Sequence, residues 1–343
     1  MLSEEYFDDI RGVVYIPAQA YNAYQMWRDY DGAVTRRDFG YARSIGFNAV
    51  RLWLSYEYWL VQKDGFKRDF EDLLSAADEK GIRVMPSLFE CCGKQPTAEN
   101  IEDTNPVTAT AISSPGGEIE TNPCRWCQPY SYIDWFMGLY KNDQRLLAIE
   151  LTNEPSPNRS MQFEFAKAIL LHAAGQKGSV PLTLGSAKMI FNVPFVGDML
   201  DILQYHKNFA LTEEEFKDGL RLGELYQKML KKPVWLTEWQ RLRSSSIGWD
   251  DNTVVDDNDL MPNHGSMAGL IKKHNVCGFM WSLMLRPAYL LKQREHGAFS
   301  GIFHEDGSVY SLVDAKAVSY NESFIAPENP CVPERFKPVL KHK

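Results

Sequence analysis

The sequence predicts an α/β protein whose eight parallel strands close into a (β/α)8 TIM barrel, with elongated βα loops and a short C-terminal hairpin and tail. Three observations predict it. Short apolar or β-branched runs recur eight times along the chain, separated by helical segments. Eight is the number that closes such a barrel, and 343 residues hold one with insertions. No Gly-x-Gly-x-x-Gly follows any strand, which leaves an open doubly wound sheet as the weaker alternative.

In order, the predicted strands are Arg11 to Pro17, Phe47 to Leu54, Ile82 to Phe89, Leu146 to Thr152, Pro181 to Gly185, Asp201 to His206, Pro233 to Glu238 and Val276 to Trp281. Between the first two, Thr35 can cap a helix that ends at Gly46. Phe70, Leu73, Leu74 and Ala77 recur at helical spacing in the segment from Phe66 to Lys80, which Gly81 terminates. Glu90 to Pro129 is rich in Pro, Gly, Thr, Asn and Cys, and reads as a long loop over a site, since connections of that length in a compact domain are usually functional. Helices are expected over Tyr130 to Tyr140, Met161 to Ala174, weakly over Ile190 to Leu200, over Thr212 to Leu230, and over Pro262 to His274 after a polar loop from Gln240 to Leu260. The whole of 1–343 reads as one domain, with a barrel core over about 11–285 and a tail over about 286–343 packed on it.

Composition narrows the function classes. The chain is 44% hydrophobic and 24% charged, as a globular protein is. A formal charge of −8 argues against nucleic acid, whose phosphates attract a basic surface. No apolar run reaches the length of a membrane span, so no membrane partner is expected. The acidic N-terminus lacks the apolar region of a signal peptide, so a cytoplasmic location is expected, although a secreted protein with its leader removed would look the same. Aromatic residues reach 13%, with nine Trp and sixteen Tyr, and flat rings serve both core packing and stacking on sugars. The cluster Tyr21, Tyr24 and Trp27 fits either use, as do Trp53, Trp59, Trp239 and Trp249. Cys91, Cys92, Cys124 and Cys127 bracket the long loop; free thiols, a disulfide and a bound metal are all open, though adjacent cysteines are poor spacing for a zinc knuckle. His264, His274, His296 and His304 do not cluster with acids at ligand spacing, so neither a catalytic metal nor a cofactor is expected.

Chemistry in such a barrel sits at the C-terminal ends of the strands. Strand four, Leu146 to Thr152, is almost wholly apolar or β-branched and runs into Asn153-Glu154-Pro155. Strand seven ends in Thr237-Glu238-Trp239. Two rim glutamates suit glycosyl transfer, one protonating the leaving oxygen while the other attacks the anomeric carbon or activates water. Arg51 on strand two can keep a carboxylate ionised, and Trp281 at the end of strand eight offers an apolar floor to a sugar ring.

These pieces resemble the clan A retaining glycoside hydrolases, especially families 5 and 2. The matching stretches are GFNAVRLWL, ELTNEP, KPVWLTEW and GFMWSL at strands two, four, seven and eight, with GIFHEDGS (Gly301 to Ser308) resembling the last hairpin of such barrels. The resemblance implies Glu154 as acid/base, Glu238 as nucleophile, Asn153 on the sugar 2-hydroxyl, Arg51 supporting the nucleophile, His206 lining the site and Trp281 under the reacting sugar. Two departures stand out. Where family 5 carries His-x-Tyr at strand six, this chain has His206-Lys207-Asn208, with Asn208 in the tyrosine seat. Where a histidine is usual at the end of strand three, this chain has Phe89, then Glu90, which reads either as a third rim carboxylate for sugar hydroxyls or as an acid on a solvated loop.

The leading expectation is therefore a retaining β-glycosidase acting on short manno- or gluco-configured oligosaccharides, with galacto-configured ones open and exo action favoured by the long loops. The alternative is a barrel that binds carbohydrate without hydrolysing it. A third reading, a metal-dependent hydrolase built on the Cys91 to Cys127 cluster, predicts inactivation by a chelator.

Overall fold

The computed structural model describes residues 9–197, 199–244 and 256–340. The first eight residues, on which the leader expectation rests, and Trp249 lie outside the described residues.

Eight strands form one sheet: β1 (Arg11–Val14), β2 (Ala49–Trp53), β3 (Arg83–Glu90), β4 (Ile149–Asn153), β5 (Leu182–Gly185), β6 (Leu203–Ala210), β7 (Val234–Leu242) and β8 (Gly278–Met280). Neighbours pair in parallel in the order β5-β4-β3-β2-β1-β8-β7-β6, which wraps the sheet into a nearly closed barrel. The seam between β5 and β6 is fastened by the Asp201 amide on the Leu182 carbonyl (2.9 Å) and by the Thr183 hydroxyl on the Ile202 carbonyl (3.0 Å). Val13, Val50, Val84, Ile149, Leu182, Leu203, Leu236 and Phe279 are all buried, as parallel strands covered on both faces require.

Several elements differ from expectation for local reasons. The first long helix spans Gly32–Ser44, because the Asp31 side chain accepts from the Ala33 and Val34 amides, while Thr35 lies inside it. The next begins at Tyr56, capped by Ser55, and bends at Gln62 (φ −143°, ψ 46°) before continuing to Asp78. The segment from Glu90 to Pro129 carries short helices over Ala98–Glu102 and Gly117–Glu120. Between β5 and β6 the described residues carry a 3-10 helix, Met189–Phe195, with Pro194 inside it, in place of an α-helix. Strands β6 and β7 run four residues beyond their predicted ends. Lys207 faces Trp239, Phe209 faces Arg241 and Ala210 faces Leu242, a two-stranded ribbon standing above the rim. Its polar residues hid it from a search for buried runs.

Beyond β8, strands β9 (Arg286–Pro287) and β10 (Phe299–Ser300) pair antiparallel. Phe303 and Val309 bridge antiparallel across the predicted hairpin, and both join the barrel's main core. A helix over Leu312–Ser319, not anticipated, buries Ala315 and Val318 in that core. Among the described residues no helix is long and apolar enough to cross a membrane. Trp27 is fully buried, donating to the Trp53 carbonyl (2.9 Å) and packing on Phe66 and Phe70, so it is core, as is Trp59 among Tyr56, Tyr132 and Trp135.

Candidate active site

The two glutamate-bearing strands are each deformed just before the glutamate. On β4, Glu150 faces Thr183 but Asn153 already faces Gly185, so β4 holds one residue more than its neighbour. On β7, Leu236 faces Tyr205 and Glu238 faces His206, leaving Thr237 as the extra residue. Such bulges re-aim the side chains that follow. Glu154 then adopts φ 47°, the left-handed region that a branched-free non-glycine residue enters only at a cost, and its amide donates to the Gly185 carbonyl at 2.6 Å.

Arg51 is the hub. Its buried guanidinium donates through Nε and Nη2 to both oxygens of Glu150 (2.8 and 2.6 Å), through Nη2 to Asn153 Oδ1 (2.7 Å), and through Nη1 to Glu238 Oε1 (2.8 Å). Burial pulls the Arg51 pKa down, but Glu150 and Glu238 outweigh it and hold the group charged. The guanidinium carbon also lies 4.7 Å from the centre of the Trp53 ring. A side chain at Gly185 would not fit: a Cβ there would stand 2.8 Å from Glu150 Oε1 and 3.0 Å from Arg51 Nη2.

Each glutamate has a second partner. Glu238 Oε2 accepts from the Asn208 amide at 2.9 Å, and Asn208 Oδ1 in turn accepts from Gln240 Nε2 at 3.2 Å. Glu154 Oε1 lies 2.5 Å from His206 Nδ1, and Glu154 Oε2 accepts from the Cys92 thiol at 3.3 Å. His206 Nδ1 also faces Glu238 Oε2 at 3.5 Å. For Glu154, burial acts to raise the pKa, but the hydrogen bond and charge of His206 prevail and the net shift is downward. For His206, burial acts to lower the pKa, but Glu238 and Glu154 prevail and the net shift is upward. The two shifts are opposite in sense, so a proton on His206 and a charge on Glu154 favour each other.

Glu90 is the last residue of β3 and is buried, not solvated. It accepts from the Cys92 amide (2.8 Å), from Asn153 Nδ2 (3.0 Å) and from the Tyr289 hydroxyl (3.4 Å). Burial nevertheless pushes its pKa up to about 8. Phe89 points the other way, into the aromatic layer of Tyr132 and Phe165. Trp281 packs edge-on against Trp53 and Tyr289, with ring centres 5.6 and 5.3 Å away.

One donor atom each from Glu154, His206 and Glu238 lies within 4.8 Å of the others, a set that could hold a small cation as well as a proton. The four histidines that pointed away from a metal are not among these residues. All six cysteines are free thiols. A surface groove of about 1430 Å³ opens at the opposite end of the barrel, between the helix Glu213–Leu230 and the starts of β7 and β8. It lies apart from these side chains.

The structure thus gathers Arg51, Glu90, Asn153, Glu154, His206, Asn208 and Glu238 into one contact network, with Trp281 beside it. Sequence reasoning passed over Glu150, Gly185, Gln240 and Tyr289, and it considered Cys92 for a thiol, disulfide or metal role but not beside Glu154. Glu150 did leave a signal: a carboxylate in the middle of an apolar strand demands a buried cation, and Arg51 is the mid-strand cation two strands away.

No protein-family model matches this chain, and no curated protein matches it in sequence. Solved structures do match in fold. An exo-β-1,4-mannosidase from Opitutaceae bacterium strain TAV5 shares 15% identity at a TM-score of 0.62, over 94% of this chain and 62% of that one. An endo-1,4-β-mannanase from Rhizomucor miehei shares 13% at 0.56, over 94% of each chain. A β-D-glucuronidase from Dictyoglomus thermophilum shares 16% at 0.54, over 87% of this chain and 48% of that one. The chain thus spans less than two thirds of the mannosidase and about half of the glucuronidase. Its fold is a (β/α)8 barrel, shared with these three enzymes.

Proposed function

We propose that the protein is a retaining β-glycoside hydrolase with Glu238 as nucleophile and Glu154 as acid/base. The observation that carries this reading is the spacing of the pair. One oxygen of Glu154 and one of Glu238 lie within 4.8 Å of each other, a close approach that supports the roughly 5–5.5 Å carboxyl separation of a retaining pair over the roughly 6.5–9.5 Å of an inverting one. Arg51 and Asn208 each occupy one oxygen of Glu238, orienting the carboxylate for attack.

The proton follows from the Glu154–His206 pair. A bound glycoside strips water from the Glu154 side chain, which is 27% exposed. Loss of water disfavours the carboxylate, so the Nδ1 proton of His206 moves across the short hydrogen bond to Oε1. Glu154 then protonates the departing oxygen while Glu238 bonds to the anomeric carbon. In the second half, Glu154 takes a proton from water, whose oxygen attacks the same carbon and releases Glu238, so the configuration is retained. In this reading Asn153, held by Arg51 and Glu90, meets the 2-hydroxyl, and Trp281 lies under the apolar face of the reacting sugar.

Manno-configured substrates come first, followed by gluco-configured ones, with the mannosidase and mannanase of like fold as the support. The test is a panel of aryl β-glycosides, with the first-formed anomer of the product followed by NMR. Release of the α-anomer first would overturn the retaining assignment. A second reading, a barrel that binds sugar without turnover, draws on the ionised resting state of Glu154. Sugar binding with no turnover of any panel member would select it.

A further inference from the structure

We propose that Cys124 and Cys127 form a reversible dithiol–disulfide site that low-molecular-weight disulfides oxidise. The site does not depend on the glycosidase reading, and all six cysteines of the chain lie among the described residues. Both cysteines are exposed free thiols in the long segment between β3 and β4. The chain around them is continuously helical. Asn122 caps a 3-10 turn over Pro123–Arg125 by accepting from the Cys124 amide (3.2 Å). Trp126 continues at φ −66°, ψ −16°, and a helix of 14 residues begins at Cys127. The Trp126 amide closes the turn on the Pro123 carbonyl (3.2 Å).

One helical turn sets the separation. Three residues along an α-helix or a 3-10 helix carry the Cα atoms about 5–6 Å apart, inside the roughly 4.4–6.8 Å that a disulfide spans. Both geometries place the i and i+3 side chains on one face. In a regular turn the Cβ atoms stand about 5–6 Å apart, against about 3.8 Å in a bridge, so closure must tighten the turn. Cys124 lies in the first turn, where few backbone bonds resist that movement. The strain left in the bridge makes it easy to reduce, the mark of a labile disulfide and not of a structural staple.

The other cysteine pair has the opposite character. The Cys91 thiol lies 3.2 Å from the Thr152 hydroxyl, and the Cys92 thiol donates to Glu154. Burial, reinforced by Glu120 at Cys91 and by Glu154 at Cys92, pushes both thiols up, so they stay protonated and unreactive. Exchange therefore falls to Cys124 and Cys127. The thiolate of one attacks a sulfur of the small disulfide and expels one small thiol, leaving a mixed disulfide. The other gives its proton to solvent, attacks the protein sulfur of that adduct and expels the second small thiol. The pair loses two electrons, and the reagent takes them up in leaving as two thiols.

The test treats the whole native protein with oxidised glutathione at neutral pH, as the Cys331→Ser variant to remove the third exposed thiol. Remaining thiols are alkylated, and peptides are mapped by mass spectrometry. Cleavage after glutamates keeps both cysteines on one peptide, since no glutamate lies between Glu120 and Glu150. That peptide should lose two hydrogens and carry neither glutathione nor alkyl label, and dithiothreitol should restore both labels. With Cys124→Ser added, Cys127 should instead retain one glutathione. Glutathione retained on both cysteines, full alkylation of both after oxidation, a bridge between Cys91 and Cys92 in its place, or a bridge that dithiothreitol does not open would each overturn the proposal.

Discussion

His206 Nδ1 stands 2.5 Å from Glu154 Oε1 and 3.5 Å from Glu238 Oε2, so one imidazole faces both candidate catalytic carboxylates. Against burial, the charge of Glu238 and then the hydrogen bond and charge of Glu154 raise His206, while the hydrogen bond and charge of His206 lower Glu154, so the three groups titrate together.

The proton held by Glu154 and His206 sets the alkaline limb of activity. The pair must hold it for the leaving oxygen to be protonated, so kcat/KM is expected to fall as pH rises through the elevated His206 value, above the ordinary histidine value of 6.5. His206→Gln should lower kcat by about 10–100-fold and move the limb to that of Glu154 alone. An unchanged pH profile in that variant would show that His206 does not hold the working proton.

The two glutamates should part company with leaving-group quality. Glu238→Gln is expected to cost on the order of 10⁴-fold or more with every substrate, since no covalent intermediate can form. Glu154→Gln should cost about 10²–10⁴-fold on poor leaving groups and far less in the first step on activated aryl glycosides. Equal losses across the aryl series for both variants would contradict the assignment.

Glu150 predicts a stability effect. Removing it leaves the buried Arg51 guanidinium with Glu238 as its one remaining carboxylate, and breaking a buried ion pair costs about 3–5 kcal/mol. Glu150→Ala should therefore unfold at markedly lower urea concentration than the parent. Gly185→Ala should also destabilise, because its methyl would press on Glu150, Arg51 and Asn153. Parent-like midpoints for both would remove the network from the account of stability.

Three carboxyls, the buried Glu90 and Glu120 and the half-buried Glu57, predict the direction of pH-dependent stability. Burial raises Glu57 and Glu120 to about 7 and Glu90 to about 8, from an ordinary 4.5. Between those values the folded chain holds more protons than the unfolded one, so stability is full below 4.5 and is lost as pH rises through 7 to 8. His206 acts in the same sense. Melting temperature should thus fall from about pH 5 to about pH 9, and Glu57→Gln, which keeps an acceptor for Ser114, should flatten the slope. A rise over that range would reverse the argument.

Much of the fold was legible because buried parallel strands announce themselves: VVYI, AVRLWL and VCGFM have no other home than a covered sheet. The helix from Gly32 was misplaced because Asp31 and Thr35 both make good caps, and only the backbone amides within reach decide between them. The rising ends of β6 and β7 were missed because KNFA and WQRL carry no buried period, each being stabilised by the other strand.

The sequence by itself determined the eightfold alternation, the absence of a dinucleotide loop, and the presence of a glutamate at the end of strands four and seven, because these depend on local pattern. Tertiary structure alone decided how those glutamates are used. The extra residues on β4 and β7 turn the carboxylates toward each other, Gly185 leaves room for Arg51 to hold Glu150 and Glu238 together, and Asn208 reaches Glu238 from a strand that outlasts its apolar run. Each of these depends on chain segments far apart in sequence meeting within hydrogen-bond distance, a quantity that no local pattern encodes.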